Sequence, residues 1–428
     1  MTGGVGPKII LMPLALNSHT VNEAFFQPLT AALAHATHTR PCPELPDADW
    51  LRLGVQRVIE GSESGRAFLQ EHGLRFANTP SCNNYFASLK SPRRGALAQE
   101  VSLALLAAAP SHLPDRLANI PELAAYECFA ADGHWHKAAA HDPRHNDTKM
   151  AVGHFYSLNL RTHLLRHLVA GEGLHEHDMS ALKRIKPKGL RQDVPKGKRV
   201  LMVYDKAGID LGYWKRCRHE CAVYFLSRVK ENMKLKWKMD TLWDAKAPRN
   251  RGVQSDWQVV SLDGHHLRLI RYCDPQSGEV YDFLTNEMDL APGILAELYH
   301  RRWEVEKVFD EIKNKLGQKK AWASSLEAKA VQAQMIALTH NLLLSYEAEL
   351  EARHGVTNEA EDRRRAGRIE RAGKEGERKG TPLSELVLLP RRAAQRSVKF
   401  IRWLRRAIRE ELAEAHALLH LRQLYASL

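Results

Sequence analysis

Residues 299–317 read YHRRWEVEKVFDEIKNKLG. Tyr299, Arg302, Glu306 and Lys313 lie at offsets 0, 3, 7 and 14. At about 100° per residue they fall near 0°, 300°, 340° and 320° on a helical wheel, one narrow face. Val305, Val308, Phe309, Ile312 and Leu316 fall between about 180° and 280° on the same count. The spacing predicts a helix that buries its apolar face and presents a neighbouring face with one carboxylate between cations and a phenol. Such a face suits a metal-bound carboxylate flanked by phosphate contacts.

Upstream, the apolar run at 125–131 stops at Asp132-Gly133 and reads as a strand ending in a turn. Further strands are expected at 136–140 and 152–160, then a helix near 177–185. RVLMVY at 199–204 is a short buried strand that stops at Asp205. A helix at 212–219 and a strand at 222–227 complete an α/β pattern with a mixed sheet. Segments 257–262, 266–272 and 279–284, with Asp263-Gly264 as a hairpin signal, read as a β-meander inserted in that domain. Helix returns at 292–316 and 325–351. Residues 354–382 read as a charged mobile linker, and 391–424 as one amphipathic basic helix. The first 120 residues are mainly helical, with segments at 21–36 and 96–109, suited to DNA-end binding or dimerisation. This divides the chain at 1–120, 121–230, 231–288, 289–350 and 351–428.

The 428 residues carry 63 Lys and Arg against 50 Asp and Glu, a net charge of +13. That excess points to a polyanionic partner, nucleic acid before an acidic membrane surface. Residues 1–120 hold ten basic and nine acidic side chains, so the excess lies downstream. Residues 183–199 hold eight basic residues and one acid, and 391–409 hold eight and none. The stretch at 183–199, just before the Asp205 strand, is expected to guide DNA into the site. No apolar run approaches the ~18 residues of a membrane span; the longest, at 9–16 and 103–109, are short. Six cysteines are too few for a disulfide framework, and no secretion signal is evident, so a reduced, cytoplasmic protein is expected.

The pattern Tyr-x2-Arg-x3-Glu-x6-Lys at Tyr299, Arg302, Glu306 and Lys313 resembles the signature of bacterial insertion-sequence DDE transposases, specifically insertion sequence family four. AADGHW, with Asp132, is similar to that family's first motif, and MVYDKAGID, with Asp205, to its second. YFLSRVKEN resembles the strand that members place next. His134 stands where many relatives have Thr or Ser. The likeness spans about residues 123–345.

The resemblance implies a ribonuclease H-like catalytic core with a mixed sheet, interrupted by the β-rich insertion and flanked by helical N- and C-terminal regions. It implies that Asp132, Asp205 and Glu306, 73 and 101 residues apart, converge as catalytic metal ligands for Mg2+, with Mn2+ as substitute. Tyr299, Arg302 and Lys313, with Arg228 in addition, would bind phosphates. The partners implied are double-stranded DNA, as terminal inverted repeats and target, and a second copy of the chain in a synaptic homodimer. Trp237, Trp243 and Trp257 could stack on an extruded base, although core packing suits any one of them. Two other readings stand beside this one. A catalytically inactive or domesticated DNA-binding relative would share the surface but has no reason to retain all three acids. A zinc hydrolase could use His134, His136, His141 and His145, but leaves the 299–313 pattern unexplained. Cys217, His219 and Cys221 lack a second pair of ligands.

Overall fold

Alternating apolar side chains make Tyr126–His136 (β1) a strand buried on both faces, and the domain is assembled on it. The computed structural model describes residues 19–426 apart from 63, 77, 143, 146, 147, 150, 151, 173–175, 177 and 390. The apolar run at 9–16 and the side chains of His145 and Trp237 lie outside the described residues. Five helices precede β1: α1 (Val21–Leu33), α2 (Asp47–Glu60), α3 (Gly65–Gly73), α4 (Cys82–Ser88) and α5 (Pro92–Ala107). After β1 come β2 (Val152–Asn159), β3 (Leu165–Ala170), α6 (Asp178–Lys183), β4 (Arg199–Val203), α7 (Leu211–Cys221) and β5 (Val223–Arg228). Four more strands follow: β6 (Leu235–Asp240), β7 (Val253–Ser261), β8 (His266–Cys273) and β9 (Val280–Thr285). The chain closes with α8 (Pro292–Arg301), α9 (Trp303–Asp310), a π turn (Glu311–Lys315) and α10 (Leu326–His354). Last are α11 (Glu359–Arg378), α12 (Glu385–Leu388), α13 (Val398–Arg409) and α14 (Glu414–Ala426).

All nine of these strands form one sheet in the order β3-β2-β1-β4-β5-β9-β8-β7-β6. β2 runs antiparallel to β1, whereas β4 and β5 run parallel to it. The half-sheet 3-2-1-4-5 with its second strand reversed is a ribonuclease H-like core. β9 pairs antiparallel with β5, and β8, β7 and β6 continue outward. The β-meander therefore widens the core sheet at its edge. The alternating lysines of β6 (LKWKMD) hid that strand from an apolar reading and suit an exposed edge.

Each face of the sheet has its own apolar layer. Cys128, Ala130, Leu201, Val203 and Leu226 pack toward α8, α9, α10 and the N-terminal helices. Phe129, Ala131, Val200, Met202 and Phe225 pack with Trp214, Cys217, Leu182 and Leu190 on the other side. The chain's two ends join the first layer together: Val21 N–H donates to the Leu412 carbonyl at 3.0 Å, and Tyr346 stacks on Trp403.

Four sequence expectations are corrected. β1 does not turn at Asp132-Gly133; Gly133 pairs with Phe155 and lies outside the positive-φ glycines, so the strand continues to His136. No separate strand occupies 136–140, where Lys137 makes only an isolated bridge to Lys320. The charged linker is helix α11, supported by i,i+4 pairs Glu361–Arg365, Glu370–Lys374 and Glu375–Lys379 and anchored through buried Gly376. The single basic tail helix is two helices, broken where Glu411 takes a φ of 47°.

Candidate active site

Strand register brings the two aspartates together. Ala130 pairs with Val203 across the parallel β1–β4 ladder, and Asp132 and Asp205 each follow two residues later. Side chains two apart share a face, so both carboxylates leave the sheet on the side of α8 and α9. Asp132 Oδ1 accepts the Gly133 N–H at 2.8 Å, and Asp205 Oδ1 accepts the Ala207 N–H at 2.8 Å. The Ser227 hydroxyl, from the next strand, donates to the Asp205 carbonyl at 2.6 Å and fixes the turn after β4.

Arg302 closes the site from above. One guanidinium nitrogen donates to Asp132 Oδ2 and the other to Glu306 Oε1, each at 2.9 Å. It stands at the joint of α8 and α9, where Arg302 N bonds to the Tyr299 carbonyl and Val305 N to the Arg302 carbonyl, both at 3.1 Å. These i→i+3 bonds tighten the turn without ending the rod. The expected continuous helix thus holds for Tyr299, Arg302 and Glu306. It fails for Lys313, which lies exposed on the π turn where 100° per residue no longer applies. Lys313 still acts electrostatically on His134, two residues beyond Asp132. Buried Glu311 fixes that turn: it accepts from His340 at 3.0 Å and from the Arg396 backbone N–H.

Burial pushes the Asp132 carboxyl up to about 6, against the opposing pull of Arg302 and the Gly133 N–H. Asp205 and Glu306 raise it further, which puts both within electrostatic reach of Asp132. One guanidinium cannot balance three acids. The remaining negative charge and the all-oxygen donor set fit a divalent cation of the Mg2+ or Mn2+ kind. Among the described residues no group of three His, Cys, Asp or Glu is already closed around a metal position; here Arg302 spans Asp132 and Glu306.

The other expected contacts flank this centre. Tyr299 is buried against Phe283, with ring centroids 4.7 Å apart, and Arg302 lies 5.7 Å from its ring. Arg228, exposed at the end of β5, lies 4.8 Å over Tyr281. Arg228, Tyr281, Phe283, Tyr299, Arg302 and Trp303 line part of a cavity of about 220 Å³. Trp303, 54% exposed, was not singled out in the sequence. Its signal was available: it follows Arg302 and sits about 40° from Tyr299 on the wheel. Trp257, half-buried under Lys238, and half-buried Trp243 do not line that cavity.

Two of the four clustered histidines, His134 and His136, are core. His134 stacks on Phe309 at 4.8 Å, and His136 Nδ1 donates to the Gln318 carbonyl at 2.9 Å. Burial holds His134 down to about 3 and His136 down to about 4, so both are neutral. His141 is exposed, apart from that pair. All six cysteines are free thiols, and Cys217 is buried against Trp214 and its neighbours.

The two basic stretches are less available than their composition suggests. Residues 191–199 lead into the start of β4, at the strand end opposite Asp205, where Arg191 donates to the Cys221 carbonyl at 2.9 Å; the stretch begins at Lys183, beside the turn that follows Asp205. Its apolar residues Leu190 and Val194 pack on the opposite sheet face. Lys183 pairs with Asp210, Arg184 with Glu176, and Arg199 with Asp289. In the tail, Arg391 pairs with Glu297, Arg392 with Glu351, Arg396 with Glu311, and Arg409 with Glu60.

Residues 136–342 match the family model of the transposase DDE domain. The matched segment contains Asp205 and Glu306 and begins four residues after Asp132. The match covers just under half of the chain. No curated protein matches the chain. Among solved structures, a piggyBac transposase synaptic complex with hairpin DNA is similar at 10% identity and a TM-score of 0.37, covering 97% of this chain and 86% of that one. Among the described residues, no helix is long and apolar enough to cross a membrane.

Proposed function

We propose that this chain is a transposase of the insertion sequence family four type, acting in the cytoplasm on the ends of its own element. The observation that carries this reading is that Arg302 spans Asp132 and Glu306 while the register of two parallel strands sets Asp205 beside Asp132. Asp132, Asp205 and Glu306 would hold Mg2+, or Mn2+ in its place. When bound, such ions lower the pKa of an attacking water or 3′-hydroxyl and stabilise the leaving oxygen.

The chain's own residues orient the DNA. Arg302 exchanges its carboxylate partners for a backbone phosphate when DNA and cation arrive. Tyr299, Lys313 and Arg228 hold adjacent phosphates, adding affinity without reading sequence. Trp303 and Tyr281 offer ring faces beside that path. Joining both element ends to a target requires two catalytic centres, and a homodimer on DNA supplies them.

The test is incubation of the purified chain with a duplex bearing the element's terminal inverted repeats and Mg2+ or Mn2+. Nicks that expose 3′ ends at the repeat boundary are expected. A protein that binds the repeats but leaves them uncut under both metals would refute the enzymatic reading and favour the inactive DNA-binding one.

A further inference from the structure

α11 carries a row of arginines without carboxylate partners among the described residues, of which Arg371 donates to the Gly367 carbonyl at 3.1 Å. Arg364, Arg368 and Arg371 stand at i, i+4 and i+7, all exposed and within about 60° of one another around the helix. Among the described residues none of the three has an ion-pair partner, whereas Arg363, Arg365, Lys374 and Lys379 on the same helix are each paired with a carboxylate. In the two basic stretches, by comparison, Lys183, Arg184, Arg199, Arg391, Arg392, Arg396 and Arg409 are each paired with a carboxylate within the chain.

The row borders two grooves. One, of about 650 Å³, lies between α11 and the outer face of the catalytic helix, where Trp303 and Lys307 face Arg368. The other, of about 820 Å³, lies between α11 and the start of α13, where Arg364, Arg368 and Arg371 face Lys399. Arg368 lines both, so the positive track is continuous from beside the candidate active site to the far side of α11.

We propose that the Arg364–Arg368–Arg371 ridge contacts the phosphate backbone of duplex DNA that leads to the active site. This rests on the transposase reading above. The three cations span about 10 Å along the helix, too far for one small anion to satisfy. Over that length a duplex carries about six phosphates. A membrane-surface helix would interleave exposed large apolar side chains with its cations. α11 instead has no large apolar side chain exposed, and the acids that share the second groove with the ridge, Glu361 and Glu370, are paired with Arg365 and Lys374.

The experiment compares the full-length chain with the triple variant R364A/R368A/R371A and with the charge-keeping R364K/R368K/R371K. Binding to a mixed-sequence duplex is followed by fluorescence anisotropy from 50 to 200 mM salt. Each phosphate contact contributes about 0.9 to the slope of log affinity against log salt. The alanine variant should lose about 2.7 of that slope, so that its affinity drops about forty-fold less over the range. The lysine variant should keep the slope, and unchanged thermal unfolding shows that α11 is folded. An alanine variant with unaltered slope and affinity, in a chain that still binds and cuts DNA, overturns this proposal alone. A wild-type chain that binds no duplex overturns it together with the transposase reading. Binding to phosphatidylserine vesicles that the ridge substitutions abolish, with duplex binding unaffected, also overturns it.

Discussion

Mild acid should destabilise this protein through its buried histidines before any structural carboxylate is protonated. His134, His136 and His167 are 8%, 1% and 7% exposed. Burial holds them down to about 3, about 4 and about 3. His154 and His163 are held low by burial as well. In the unfolded chain each imidazole takes a proton below about 6.5. The unfolded state then binds more protons than the folded one, so stability is full above 6.5 and falls as pH drops toward the folded values. Going from pH 7 to pH 5 costs about 2 kcal/mol for each of the three, or about 6 kcal/mol. Asp132, raised to about 6 mainly by burial, works in the opposite sense and returns about 1 kcal/mol. Glu311 is held down to about 2 despite burial, chiefly by Arg396 and His340, so its contribution is lost only below about 4.5. The net loss of about 5 kcal/mol is a large share of a typical folding free energy. With an unfolding entropy of about 0.9 kcal/mol/K for a chain this long, Tm should fall by roughly 5 °C. Calorimetry at pH 7, 6 and 5 measures this, and His136→Gln with His167→Gln should reduce the shift, the rest staying with His134, His154 and His163. A Tm that is equal at pH 7 and 5, or histidine proton titrations centred above 6, would refute the reasoning.

Two further outcomes follow from single contacts. Arg302→Ala removes the cation that spans Asp132 and Glu306, so Mn2+ should bind the DNA-free protein several-fold more tightly by titration calorimetry. The same variant should cut DNA at least about tenfold more slowly, since a charge-assisted phosphate contact is lost; unchanged values in both assays would argue against its dual role. Gly293→Ala places a Cβ 1.9 Å from the Arg249 carbonyl oxygen, a backbone atom that cannot swing aside. A loss of about 2–3 kcal/mol in urea unfolding is expected, and wild-type stability would show that α8 can shift there freely.

The sequence was most informative where one periodicity governed. RVLMVY before Asp205 and the apolar spacing around Glu306 each have a single packing solution, and both elements stand where the pattern puts them. Gly133 misled because Asp-Gly marks turns only when the glycine takes positive φ, and strand pairing with Phe155 holds it extended. α11 escaped notice because its stability lies in i,i+4 ion pairs and a narrow inward stripe. Summed charge misled most. A run of arginines says nothing about which carboxylates will fold against it, as Arg392 and Arg396 illustrate with Glu351 and Glu311.

The central claim is that Asp132, Asp205 and Glu306 act as one metal-dependent centre. Its most direct test is cleavage of an end-bearing duplex by the wild type and by Asp132→Asn, Asp205→Asn and Glu306→Gln, with duplex binding measured in parallel. The account predicts that each variant binds DNA as well as the wild type and cuts at background level under both Mg2+ and Mn2+. Wild-type cleavage by any of the three would contradict it.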